Sequence, residues 1–184
     1  MRQTTRHLIV GLMMMIGVTS AGRPACADDL DAGTVRHVRS SNAAIVALIG
    51  LASQQSKTFH GLIETINASE GIVYVEHGGC GRGVRACLVS VTTGGGHRFL
   101  RVNVNTGEAD WDLMGSIGHE LRHTIEVLSN RTVTATASLH SFYLHSGSTG
   151  GFLKPFETDA AVETGVAVRA EVQKYRRTSV PQPE

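Results

Sequence analysis

The sequence predicts an α+β fold in which a small antiparallel sheet packs against helices. Apolar residues follow a helical period near the start and in the second half of the chain, a strand period governs the middle, and the two kinds of segment do not alternate. The chain of 184 residues has the length of one domain after a leader segment. We expect that single domain to cover residues 28–176.

Residues 1–27 have the layout of a signal peptide. Two arginines begin the segment, an apolar run over residues 8–18 is too short to span a bilayer, and the sequence Ala-Cys-Ala at 25–27 provides small residues for cleavage. We therefore expect an exported protein, periplasmic or extracellular. A lipoprotein anchor at Cys26 is the alternative, which the Arg-Pro pair ahead of it disfavours.

The charge of the expected mature chain is close to balanced. The leader contains three of the 17 basic residues, which leaves 14 against 16 acidic residues. This balance gives no electrostatic reason to expect nucleic acid or an anionic membrane as a partner. After residue 27 no apolar run is long enough to span a membrane. The sequence gives no indication of oligomeric state.

Two cysteines remain in the expected mature chain, Cys80 and Cys87, in the segment "GCGRGVRAC". In an oxidising compartment this spacing predicts one disulfide that closes a loop. A metal–thiolate site is the alternative, but two thiols without a second pair make a poor zinc cage.

The first half of the domain is predicted to contain two helices and then three strands. The helices lie in "NAAIVALIGLASQQ" and "SKTFHGLIETINAS", where Ser56 can cap the second helix. The strands lie in "GIVYVEHGG", in "ACLVSVTT" and over residues 97–105, with glycines at the turns. We expect an antiparallel meander in which residues 97–105 form the free edge.

The second half is predicted to be helical. One helix covers about residues 112–129, another lies in "TATASLHSFYLHSG", and a last helix begins near Phe156 after a glycine-rich loop. Residues 177–184 combine proline with polar residues, so we expect a flexible tail there.

The helix over residues 112–129 contains His119, Glu120 and His123 in the pattern H-E-x-x-H. On a helix the two histidines lie about 40° apart on one face, and the apolar residues lie on the opposite side. Two such imidazoles can share a metal ion, and in a catalytic zinc site a glutamate beside the first histidine can serve as a base for water. A solvated polar face is the alternative.

A catalytic zinc site also needs a third protein ligand. Glu157 is the candidate, because in a helix that begins near Phe156 it points inward along the apolar stripe, whereas Asp159 and Glu163 point away. The alternative is that Glu157 only interacts favourably with the helix dipole.

With these residues the sequence resembles gluzincin-type zinc metallopeptidases. The segments "GHELRHTIEVL" and "FETDAA" also resemble small exported bacterial proteins of this kind, and the resemblance covers about residues 72–172. It implies a zincin-like fold with Zn²⁺ as the cofactor. His119, His123 and Glu157 would be the metal ligands, and Glu120 would be the general base.

The sequence departs from the gluzincin pattern at Ala161, where these enzymes often place an aspartate that orients one histidine. Which group orients the imidazoles therefore stays open. The resemblance also implies a donor for the oxyanion of the reaction, and Tyr143 is our choice over His140 and His145. The alternative for Tyr143 is packing of an amphipathic ring on the helix.

The activity that the resemblance implies is hydrolysis of a peptide or protein substrate by water activated at the metal. An extended peptide could add to the free edge of the sheet. A non-catalytic extracytoplasmic zinc-binding protein, which uses the same fold to bind a partner, is the alternative function.

Overall fold

Five helices and four strands make up the part of the protein that the computed structural model describes, which is residues 36–107, 111–146 and 157–179. The predicted signal peptide lies outside these ranges. The elements are β1 (Val38–Arg39), α1 (Ala43–Gln55), α2 (Lys57–Asn67), β2 (Gly71–His77), β3 (Ala86–Gly94), β4 (His97–Val104), α3 (Trp111–Ser129), α4 (Thr136–Ser146) and α5 (Asp159–Ser179).

The predicted combination of helices with a small sheet is confirmed, and all described residues belong to one compact unit. Ser56 caps α2 as expected, since its hydroxyl accepts a hydrogen bond from the Phe59 amide at 3.0 Å. Helix α5 continues to Ser179, so the first three residues of the predicted tail are helical, and residues 180–184 lie outside the described ranges.

The prediction of an antiparallel meander is wrong. The strand order is β1-β2-β4-β3, where β4 pairs with β3 antiparallel but with β2 parallel, and β1 pairs with β2 parallel. Only the β3–β4 hairpin is as expected, and Gly95 and Gly96 form its turn with φ values of 57° and 81°. Strands β2 and β4 are the inner strands, because each pairs on both sides, and the alternate residues Leu100, Val102 and Val104 of β4 are fully buried.

The predicted free edge is therefore also wrong, because residues 97–105 lie in the centre of the sheet. The edges are β3 and the short β1. The inward residues of the sheet share one buried core with the apolar side of α3, which includes Leu113, Ile117 and Leu121. Alternate positions such as Tyr74 and Arg101 point outward and are exposed.

Arg98 of β4 fixes the end of α3 against the sheet. Its side chain is only 6% exposed and pairs with Glu70 at 2.6 Å. The guanidinium also donates to main-chain carbonyls that follow or end the helix, which belong to Val127, Leu128, Asn130 and Val133. Since the last carbonyls of a helix have no partner within it, these bonds stabilise the C-terminus of α3.

The predicted disulfide is confirmed. Cys80 and Cys87 are joined with an S–S distance of 2.06 Å, and the bond closes the loop between β2 and β3. None of the described helices combines the length and the apolar composition that crossing a membrane would need.

Candidate metal centre

The three predicted metal ligands lie together. His119 and His123 come from α3, Glu157 lies two residues before α5, and their ligand atoms all lie within 4.8 Å of one another. The His119 Nε2 atom is 3.1 Å from His123 Nε2 and 3.2 Å from Glu157 Oε2. Two imidazole nitrogens and a carboxylate oxygen at these separations could hold a metal ion.

Helix α3 presents the histidines as the sequence predicts. The two rings lie one turn apart, with centroids separated by 4.7 Å and planes at 82°. The apolar side of the helix is fully buried at Leu113, Ile117 and Leu121. The histidines lie outside that apolar stripe, so the metal site and the core do not compete for the same surface.

Glu157 reaches the site for a different reason from the one predicted. Helix α5 begins at Asp159, so Glu157 lies outside its first turn and the helical-wheel argument does not apply. The next residue, Thr158, fixes this segment instead. Its hydroxyl donates to Glu126 Oε1 at 2.8 Å and accepts from the Ala161 amide at 3.1 Å.

Glycines let α5 approach α3 closely enough for Glu157 to meet the histidines. A Cβ atom on Gly165 would lie 3.2 Å from the His119 Cβ, and one on Gly118 would lie 2.9 Å from a methyl of Val168. A side chain at position 118 would require Val168 to move, and one at position 165 would require its neighbours to give way by a few tenths of an ångström. The close contact of the two helices therefore depends on small residues on both sides.

Glu126 orients His123, and the sequence analysis missed it. Its Oε2 atom lies 2.9 Å from His123 Nδ1. A proton on Nδ1 leaves Nε2 as the nitrogen that faces the other ligands. Burial opposes ionisation of Glu126, but hydrogen bonds from His123 and Thr158 outweigh it and lower the pKa of the carboxyl. Glu126 follows His123 by three residues on the same helix, and this spacing could have identified it from the sequence.

The backbone of Ala161 interacts with His119, at the position where gluzincins often have an aspartate. Burial opposes protonation of His119, but hydrogen bonds with Glu157 and with the Ala161 backbone, together with the charge of Glu120, raise the pKa of the ring. The raised pKa means that the surroundings of His119 favour the protonated ring over the neutral one.

Glu120 lies between the metal ligands and the sheet. Its Oε2 atom accepts a hydrogen bond from the Leu88 amide of β3 at 2.7 Å, and its Oε1 atom is 3.9 Å from His119 Nε2. Burial of the side chain raises the pKa of this carboxyl. A carboxylate with a raised pKa is suited to accept and return a proton near neutral pH.

Tyr143 packs on His123. The ring centroids are 5.1 Å apart with planes at 80°, and the buried hydroxyl donates to the His123 carbonyl at 3.4 Å. Burial raises the pKa of Tyr143. This geometry supports the position of His123, and the role of Tyr143 as an oxyanion donor stays a prediction. His140 and His145 are exposed on the same helix.

The resemblance to gluzincins rests on the sequence at these residues alone. No protein-family model, no curated protein and no solved structure matches this chain.

Proposed function

We propose that the protein is an exported zinc-dependent peptidase. The observation that carries the proposal is the convergence of His119, His123 and Glu157, with the carboxylate of Glu120 beside them. This is the arrangement that the gluzincin resemblance implies. The disulfide and the lack of a membrane-spanning helix among the described residues are compatible with export.

The donor set fits zinc. Imidazole nitrogen and carboxylate oxygen are both common zinc ligands, and catalytic sites use three protein ligands and keep a further position for water or substrate. Within the described residues the group consists of three such side chains. Structural zinc sites are normally closed by four ligands, often thiolates, so this composition favours a catalytic site.

A bound zinc ion would supply Lewis acidity, which activates water and polarises a carbonyl group. Glu120 would take the proton from that water and pass it to the amine that leaves when the peptide bond breaks. The Leu88 amide holds one oxygen of Glu120 while the other faces His119. The carboxylate is thus oriented before a substrate binds.

The sheet edge beside this carboxylate offers a place for a peptide substrate. Among the described strands, β3 pairs on one side only, and its pairing with β4 is irregular between Leu88 and Ser90, next to Glu120. Farther along, the Thr136 hydroxyl bonds both the amide and the carbonyl of Val91 at 3.3 Å. Because Glu120 already occupies the Leu88 amide, an extended peptide would pair with β3 only at main-chain groups that Glu120 and Thr136 do not use.

The zinc content of the purified mature protein tests the metal site. We expect one zinc ion per chain, with loss or strong weakening in His123→Ala and in Glu157→Ala. His60→Ala and Glu64→Ala are matched controls, because both residues are exposed on α2, away from the site. Absence of zinc from the wild type after reconstitution, or equal loss in the controls, would contradict the proposal.

Glu120→Gln separates the peptidase from the alternative, a non-catalytic zinc-binding protein. We expect the variant to keep its zinc and to lose hydrolysis of a peptide library by roughly 100-fold or more, because glutamine cannot accept the proton. A zinc-loaded wild type that cleaves no peptide in that library would instead support the binding function.

A further inference from the structure

A row of three side chains crosses the outer face of the sheet. Arg39 of β1 lies beside Tyr74 of β2, and Tyr74 lies beside Arg101 of β4. Residues that pair in register point to the same side of a sheet, and Val38, the residue before Arg39, points into the core on the other side. The row therefore places one tyrosine between two arginines, and we call it the Arg–Tyr–Arg row.

This face of the sheet is open in the part of the chain that the structure describes. All five helices contribute residues to the core on the inner face. On the outer face Tyr74 is 36% exposed, and Arg101 is exposed as well. A cavity of about 460 Å³ lies beside them, and Ser90 and Phe99 are among its other lining residues. A cavity of this size can take a small ligand or a few residues of a peptide.

Each guanidinium of the row is fixed through its Nε atom. Arg39 Nε donates to the Arg36 carbonyl at 2.7 Å, and Arg101 Nε donates to Asn103 Oδ1 at 3.1 Å. Asn103 is held in turn, because its amide donates to the Gly79 carbonyl at 3.3 Å. Both acceptors are neutral, and neither guanidinium contacts a carboxylate of a described residue. The terminal nitrogens of both arginines can therefore bind an anion with paired hydrogen bonds.

Glu76 is the acidic residue next to the row, and its carboxylate is already bound. Its two oxygens accept hydrogen bonds from the Ser41 amide at 2.8 Å and from the Ser41 hydroxyl at 2.6 Å. It lies two residues after Tyr74 on β2 and pairs in register with Asn103. Glu76 thus forms no ion pair with either arginine, but it would repel a carboxylate placed at the middle of the row. Acidic groups fit at the two ends.

The spacing of the arginines matches an extended peptide. Two strand spacings separate Arg39 from Arg101, which is about 9.5 Å. In a polyproline II helix, residues three positions apart lie on the same side and about 9.3 Å apart along the axis. Such segments pack their intervening residues on aromatic side chains, and Tyr74 lies between the arginines.

A membrane surface or a nucleic acid fits this face less well. Polybasic segments that bind anionic membranes contain about four to eight cations, and nucleic-acid sites are basic over a wider surface. The row contains two cations, and the expected mature chain has 14 basic against 16 acidic residues. The observations therefore favour a peptide.

We propose that the Arg–Tyr–Arg row binds an extended peptide segment of another protein in which two acidic residues lie three positions apart. The carboxylates pair with Arg39 and Arg101, and the residues between them lie on Tyr74. The sheet separates this face from α3, which contains the metal-binding histidines. The proposal is therefore independent of the peptidase function.

Three acetylated and amidated peptides test the proposal. They are Ser-Glu-Pro-Pro-Glu-Ser, its uncharged counterpart Ser-Gln-Pro-Pro-Gln-Ser, and Ser-Pro-Glu-Glu-Pro-Ser, which has the same charge with the acidic residues adjacent. Binding is measured by calorimetry on the metal-free wild-type protein, so that no peptide is consumed. Vesicles that contain phosphatidylserine are the membrane probe.

We expect the first peptide to bind at least about fivefold more tightly than either of the others. Arg39→Gln and Arg101→Gln should each remove most of that preference, without a change in the unfolding midpoint. Arg101→Lys should retain part of it, because lysine keeps the charge but not the fork of donors. Arg177→Gln, at an exposed position in the last turn of α5, is the matched control and should change nothing.

Three results would overturn the proposal. One is equal binding, or no binding, of all three peptides to the wild type. Another is a preference that persists in both glutamine variants of the row or that falls equally in Arg177→Gln, since the row would then not be the source of the preference. The third is binding to the vesicles without discrimination among the peptides, which would assign the face to a membrane surface.

Discussion

Glu126 links the two sources of the metal ligands. It accepts a hydrogen bond from His123 on its own helix and another from Thr158, the neighbour of Glu157. One carboxylate therefore sets the ring orientation on α3 and the position of the segment that contains the third ligand. Groups that hold metal ligands in this way affect metal affinity strongly although they do not touch the metal.

We expect Glu126→Gln to weaken zinc binding by about 10- to 100-fold. The amide lacks the negative charge that favours the Nδ1 proton of His123. The ring is therefore held less firmly, and its Nε2 atom becomes less basic. Competition with a chelating dye measures the affinity. Glu163→Gln, at an exposed position on α5, is the control. Equal affinity in Glu126→Gln and the control would show that the ring is held by packing on Tyr143 alone.

The residues of the metal centre could be predicted from the sequence only where the signal is local. His119, Glu120 and His123 form one motif on one helix, so the period alone places them on a common face. Glu157 was predicted from its place on a helical wheel, but it lies before the start of α5, so that argument does not apply. Its position is fixed by Thr158, which bonds Glu126. Arg169, which bonds Asp112 and Ser116 of α3, carried no signal, since these contacts depend on which helices pack together.

At the scale of elements, the approach of α5 to α3 decides whether the site exists. A Cβ atom on Gly118 would lie too close to Val168 for the present packing, and one on Gly165 would make a tight contact with His119. The sequence contains these glycines but does not show which residues of the other helix they contact. The same holds for the sheet: residue types and glycines located the strand segments, but β4 lies between β2 and β3 because of packing that no local pattern in the sequence records.

We expect Gly118→Ala to lower the free energy of unfolding by about 1–3 kcal/mol, because the methyl group must displace Val168 and push α5 away. The shift should also weaken zinc binding, since α5 follows directly on Glu157. Urea unfolding and zinc titration measure the two effects. Gly61→Ala is the matched control: that glycine lies in α2 with no atom within 4 Å of the added carbon, so the change should stabilise by about 0.5–1 kcal/mol. Similar effects of the two substitutions would refute the packing argument.

At the scale of the whole molecule, carboxylates tie the helices to one another and to the sheet. Glu171 of α5 accepts hydrogen bonds from the Ser56 hydroxyl at 2.6 Å and from the amide and hydroxyl of Thr58 at 3.0 and 2.9 Å, at the start of α2. Glu70 pairs with Arg98, which in turn holds the end of α3. In both glutamates burial opposes ionisation, but hydrogen bonds outweigh it and lower the pKa of the carboxyl.

These lowered pKa values predict that the fold weakens in acid. A carboxyl group whose pKa is lower in the folded protein than the ordinary value of 4.5 stabilises the fold above that pH. The contribution is lost as the pH falls through the lowered pKa, because a protonated carboxyl group gains less from the hydrogen-bond donors around it than an ionised one does. Urea unfolding of the metal-free protein between pH 7 and pH 3 should therefore show a falling midpoint below about pH 4.5.

Glu171→Gln tests whether part of this pH dependence of stability comes from the contact between α5 and the start of α2. At pH 7 the variant should be less stable than the wild type by about 1–2 kcal/mol, because hydrogen bonds to a charged acceptor are replaced by weaker ones. The difference should shrink as the pH falls below about 4.5 and disappear below the lowered pKa of Glu171, where the carboxyl of the folded wild type is neutral as well. Glu163→Gln should match the wild type at every pH. A difference that stays constant from pH 7 to pH 3 would mean that the substitution acts through packing and that the charge of Glu171 does not hold α5 to α2.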